Sequence, residues 1–134
     1  MEEKNNKCCE NTIGNKAIKK CSCMGNNLDK LIQPVVLELL MQERLYGYKI
    51  LKKIDEKWSL EGDSPDSTGV YRTLSNMQRQ ELLTFEWEIQ ETGPAKKVYS
   101  ITKEGRKCYK SWIETLKGYH KYIGNIIEEG EKLI

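Results

Sequence analysis

Thr68, Arg72, Ser75 and Arg79 recur at steps of four, three and four residues, with Ser67 just ahead of them. On an α-helix those steps gather hydroxyl and guanidinium groups on one side. Val70, Leu74 and Met77 fall at i, i+4 and i+7 and make an apolar seam on the other. A helix built this way packs on a small core with one face and offers hydrogen-bond donors outward with the other. A guanidinium presents parallel donors that match the O6 and N7 acceptors of guanine, and arginines and hydroxyls also reach phosphate. Ser67, Thr68, Arg72 and Ser75 are placed for base edges, and Arg79, nearer the far end, for phosphate. Tyr71 sits beside the seam, its ring half in the core and its hydroxyl free for phosphate. On periodicity alone a merely solvated polar face remains an equal reading.

A second reactive set, Cys8, Cys9, Cys21 and Cys23, lies in the first 27 residues. Four thiolates suit zinc or copper(I), or act as redox-sensing thiols. Adjacent Cys-Cys and Cys-x-Cys differ from the Cys-x2-Cys knuckle, so a tail of incidental thiols competes with both. No metal site is assigned and no cofactor is expected, with a metal ion at these four thiols left open. Cys108 is expected to be a small packing residue. The single histidine, His120, has no cysteine or carboxylate fixed beside it, and no glycine-rich phosphate loop occurs. An enzyme is not expected.

The chain has 134 residues, 38% hydrophobic and 31% charged, with a formal charge of +2. That length suggests one domain with an appended helix and tail, and so small a core makes an oligomer reasonable. A net charge this slight does not decide for nucleic acid, because only local clustering of Lys and Arg matters there. The polar first 27 residues hold no signal-peptide core, and no run approaches the roughly 20 apolar residues of a membrane span. A cytoplasmic location is expected, with thiols reduced.

The elements that must position these residues follow from the apolar periods. Residues 1–27 are expected to be a flexible Cys-containing extension. Leu28, Leu31, Ile32, Val35, Leu39 and Leu40 then recur at helical steps, with a solid helix from about Gln33 to Gln42 and Pro34 near its start. Gly47 marks a break, and Tyr48, Leu51, Ile54 and Trp58 give a second amphipathic helix with Lys49, Lys52, Lys53 and Glu56 on its wet side. Ser64 is a good N-cap and Pro65 a good first residue for the third helix, with a start at Asp66 or Ser67 also open.

Beyond Glu81 the period becomes two. Leu83, Phe85, Trp87 and Ile89 read as the buried side of a half-buried strand, Thr92-Gly93-Pro94 as a turn, and Val98 to Thr102 as the return strand. Lys96 and Lys97 lie near the tip, where they suit phosphate contacts that carry affinity without sequence information. Residues 103–134 read as one long helix. Tyr109, Leu116 and Ile123 form one row and Trp112, Tyr119, Ile126 and Leu133 another, an a/d seam broken at Gly130. Dimerisation through this seam is expected, the alternative being a helix folded back over its own domain. The fold expected is mainly α (α+β): a winged helix-turn-helix over residues 28–102, with a two-stranded wing, then a dimerisation helix over 103–134.

Taken together, these pieces resemble the PadR family of bacterial transcriptional regulators. The resemblance rests on Tyr46-Gly47-Tyr48-Lys49-Ile50, on Gly69-Val70-Tyr71-Arg72-Thr73-Leu74, and on Gly93 to Thr102 followed by Glu104-Gly105 and Trp112. It spans about Leu28 to Leu116; the Cys-rich extension and the approach at Asp66-Ser67-Thr68 depart from it. It implies a homodimer that binds a palindromic operator in double-stranded DNA, usually as a repressor. It also implies release by a small aromatic effector near the base of the last helix, where Trp112 is a candidate contact, with packing in the dimer interface the favoured alternative, and Tyr109, Leu116, Tyr119 and Ile123 are effector or interface candidates. A metal- or thiol-responsive repressor and a winged-helix protein-interaction module are the alternatives.

Overall fold

The computed structural model describes residues 31–59 and 67–134. The four N-terminal cysteines, the expected extension and the Ser64-Pro65 helix start lie outside the described residues. The elements run α1 (Ile32–Gln42), β1 (Leu45–Tyr46), α2 (Gly47–Ser59), α3 (Ser67–Arg79), β2 (Leu83–Glu88), β3 (Lys96–Ile101) and α4 (Lys103–Glu131). Helices followed by a β-hairpin and a long helix give the winged-helix order that the periodicities predict.

Pro34 is tolerated in α1 because it falls in the first turn, where backbone N–H groups have no intrahelical partner. Val36, Leu37 and Leu40 of α1 are buried at the centre of the molecule. Around them pack Ile50 and Ile54 of α2, Val70, Leu74 and Met77 of α3, and Cys108 and Trp112 of α4. The Val70–Leu74–Met77 seam is fully buried, so the third helix is held by one face only.

The sheet has three strands, one more than the expected hairpin, in the order β1–β3–β2. Leu45 pairs with Tyr99 and Tyr46 with Val98, so the break before α2 is itself a short edge strand. As the central strand, β3 buries both Val98 and Tyr99, one on each face. In β2 the alternation holds only at its base. Leu83 is buried and Phe85 partly buried, but Trp87 is 62% and Ile89 85% exposed. The hairpin outruns the helices beneath it, and period-two patterning cannot say where that support stops.

The apolar stripe of α4 is divided in the same way. Cys108 and Trp112 are fully buried, and Tyr109 and Leu116 pack partly against the core. Beyond Leu116 the helix leaves the domain, and Tyr122, Ile123, Ile126 and Ile127 are each at least half exposed. One half of the helix folds back over its own domain, and the other packs against no other element among the described residues. No helix among the described residues is long and apolar enough to cross a membrane.

Candidate nucleic-acid interface

With the seam buried, α3 presents Ser67, Thr68, Tyr71, Arg72, Ser75 and Arg79 on its exposed side. The fold brings these six together on one helix. Thr73, between them, turns its hydroxyl inward and donates to the Gly69 carbonyl at 2.9 Å. Arg79 lies at the C-terminal end, where its guanidinium donates to Asn76 Oδ1 at 2.8 Å and at a longer 3.4 Å. That pair fixes Arg79 along the helix one turn from Ser75, apart from the N-terminal hydroxyls. Asn76 was not among the expected site residues; its signal is the three-residue spacing to an arginine on a helix.

Tyr71 is 41% exposed and its ring leans on α2. A Cβ on Gly47 would stand 3.1 Å from Tyr71 Cε1 and 3.6 Å from Tyr99 Cε2. Glycine at this position lets the tyrosine ring lie against the helix start, with its remaining surface outward.

The start of α3 is flanked by α2. Tyr48, Leu51, Lys52, Ile54 and Asp55 line, with Ser67, an open hollow of about 290 Å³. Tyr48 is 64% exposed. Tyr48 and Lys52 therefore stand beside the first turn of α3; the apolar period places Tyr48 on the buried side of α2, but its position at the helix start leaves it outward beside Lys52.

Lys96 and Lys97 open β3 and do not sit in the loop at the hairpin tip, which comprises residues 89–95. Each ammonium is folded over an aromatic ring of the sheet: Lys96 Nζ is 4.8 Å from the Tyr46 ring centroid, and Lys97 Nζ is 4.2 Å from that of Phe85 and 5.5 Å from that of Tyr99. Such contacts hold a cation in place without neutralising it. Lys96 lies directly opposite Glu88, and the Tyr46 hydroxyl donates a hydrogen bond to Glu88 Oε1 at 3.0 Å. The hydrogen bond to that carboxylate, and its charge, push the Tyr46 pKa up. The carboxylate reduces the net positive charge on that edge, so Lys97 is the less opposed of the two.

Trp112 is sealed inside the protomer, and its indole Nε1 donates to Gln33 Oε1 of α1 at 3.0 Å. It is thus set apart from Tyr119 and Ile123, which are 38% and 50% exposed along the free half of α4. Tyr109 lies between these regions; burial, and then the Glu38 carboxylate, raise its pKa. Among the described residues no group of three or more His, Cys, Asp or Glu side chains is placed to hold a metal ion.

Residues 36–111, over half of the chain, match the family described as Transcriptional regulator PadR-like. The chain belongs to that family. PadR-like proteins are regulators of transcription. Bacillus subtilis PadR, solved in complex with operator DNA, is 26% identical with a TM-score of 0.56 over 63% of this chain and 46% of that one. This chain therefore spans just under half of the Bacillus subtilis protein's length. A transcriptional regulator from Clostridium thermocellum is 26% identical with a TM-score of 0.65, over 73% of this chain and 91% of that one. A PadR-like regulator from Bacillus cereus, at 21% identity and a TM-score of 0.62, shares the fold over 75% and 94% of the two chains. None of the curated proteins compared with the chain matches it.

Proposed function

We propose that this PadR-like chain is a cytoplasmic, homodimeric repressor that binds a palindromic operator in double-stranded DNA and is released by a small aromatic effector. The observation that carries the reading is the division of α3 into a buried apolar seam and an exposed face of Ser67, Thr68, Arg72 and Ser75. A helix held by one side and presenting hydroxyls and a guanidinium from its N-terminal half suits the major groove. Tyr71, Arg79, Tyr48 and Lys52 flank that face as candidates for phosphate, and Lys97 with Lys96 supplies charge from the wing.

The homodimer is supported by the free half of α4. Ile123 and Ile126 belong to the a/d seam, and Tyr122 and Ile127 widen it into an exposed apolar band. A second copy of the same helix offers the complementary band, as two-fold symmetry requires. An effector acting at the base of α4 would meet Tyr109 before the buried Trp112.

In vitro selection of duplexes bound by the purified protein tests the whole reading. Enrichment of an inverted repeat with half-sites about one helical turn apart is expected. Failure to retain any duplex at low salt would leave a protein-interaction module as the better account.

A further inference from the structure

The turn that closes α3 and the first turn of α4 are tied together at one residue, Thr102, through its hydroxyl and its backbone N–H. We propose that Thr102 is a positioning residue: it makes the set of α4 dictate the set of α3, and so fixes the separation of the two α3 helices in a dimer. The inference rests on the reading of this chain as a dimer that binds DNA.

The helix α3 ends in a closed turn. Leu82 N donates to Met77 O at 2.9 Å and Glu81 N to Gln78 O at 3.0 Å, with Glu81 in the left-handed conformation at φ 66°. This is the six-to-one closure that terminates many helices, and it aims the Glu81 and Leu82 carbonyls at the start of α4. Thr102 receives them. Its hydroxyl donates to Glu81 O at 2.7 Å, with Leu82 O at 3.0 Å as a second acceptor, while its backbone N–H donates to Leu82 O at 3.0 Å. The same Oγ1 accepts from Gly105 N at 2.9 Å and so caps α4.

Both sides of the clamp are backbone. A pair of long charged side chains would flex, whereas a hydroxyl between two main chains has one rotatable bond to absorb motion. Gly105 brings α4 closer still: a Cβ there would collide with the Leu82 carbonyl and Ile101 Cγ1. From this point α4 runs for 29 residues, about 43 Å at the rise of an α-helix. Its outer half carries the exposed apolar band, so a small rotation imposed there reaches α3 directly, without passing through the wing.

The test separates the clamp from the cap. Thr102→Ser keeps both functions of the hydroxyl. Thr102→Asp keeps an acceptor for the Gly105 amide, but an ionised carboxylate cannot donate to the Glu81 carbonyl. Thr102→Val loses both. Each variant is titrated, as the full chain, against duplexes carrying the selected half-sites at a graded series of separations and against an unrelated duplex. Circular dichroism checks that helix content is kept.

Wild type and Thr102→Ser should show one sharp optimum of separation. Thr102→Asp and Thr102→Val should bind a broader range of separations and lose about threefold to tenfold at the optimum, the scale of one hydrogen bond, with binding to the unrelated duplex unchanged. A wild-type spacing profile in folded Thr102→Asp overturns the inference and leaves the DNA reading intact. A wild-type protein that binds no duplex sinks both. If Thr102→Val unfolds, Thr102→Asp alone decides.

Discussion

The indole of Trp112, on α4, donates to the amide oxygen of Gln33, on α1, across 3.0 Å inside the core. This bond bolts the lower half of the long helix to the first helix of the domain. Trp112→Phe should keep the fold while losing the bond and part of the side-chain volume, at a cost of about 1–3 kcal/mol. Urea unfolding gives the number, and an unchanged midpoint would refute the anchoring role. Acrylamide should reach the exposed Trp87 in both proteins, and the variant should lose a protected, blue-shifted component.

The free half of α4 makes a separate prediction. Ile123 and Ile126 are 50% and 54% exposed in the protomer. Ile123→Glu with Ile126→Glu should therefore leave protomer stability within about 0.5 kcal/mol while placing like charges in the proposed seam. Sedimentation velocity should show dimer for the parent chain and monomer for the double variant. A variant that stays dimeric would move the interface elsewhere.

The two kinds of DNA contact should separate by sequence and salt. Arg72→Ala should relax preference at one base pair by about 1–3 kcal/mol. Lys96→Ala with Lys97→Ala should weaken binding to all duplexes alike and reduce the logarithmic salt slope by about one to two. Because Glu88 faces Lys96, Lys97→Ala alone should account for the larger share. Filter binding across a salt series reads both effects, and operator binding like wild type by the two variants would refute the assignment.

Glu81 holds a left-handed backbone conformation at the end of α3, where a side chain costs energy that glycine avoids. Glu81→Gly should stabilise the protein by about 1 kcal/mol without altering the backbone carbonyl that Thr102 uses. Thermal unfolding checks the sign; a lower melting temperature would mean that the Glu81 side chain contributes more than the strain costs.

Much of this protein follows from local pattern. The three-and-four-residue steps of Val70, Leu74 and Met77 oblige α3 to bury that side, which leaves Thr68, Arg72 and Ser75 outside by geometry alone. Thr102 followed by Lys103-Glu104 likewise marks the start of α4. Periodicity reports which side of an element is apolar, but not what lies against it. For that reason the stripe of α4 reads as one seam, and only the packed chain divides it at Leu116, where the domain beneath it ends. The exposure of Trp87 and Ile89, the rings beneath Lys96 and Lys97, and the strand at Leu45–Tyr46 were hidden for the same reason. Each depends on what a neighbouring element brings up, and for the short strand and the Tyr46 ring that element is far away in the chain. The contact between Gly47 and Tyr71, and the clamp from Thr102 to the end of α3, are of that kind too. Sequence spacing determines the faces of this protein, and tertiary contact decides which of them are covered, which are free, and which are tied together.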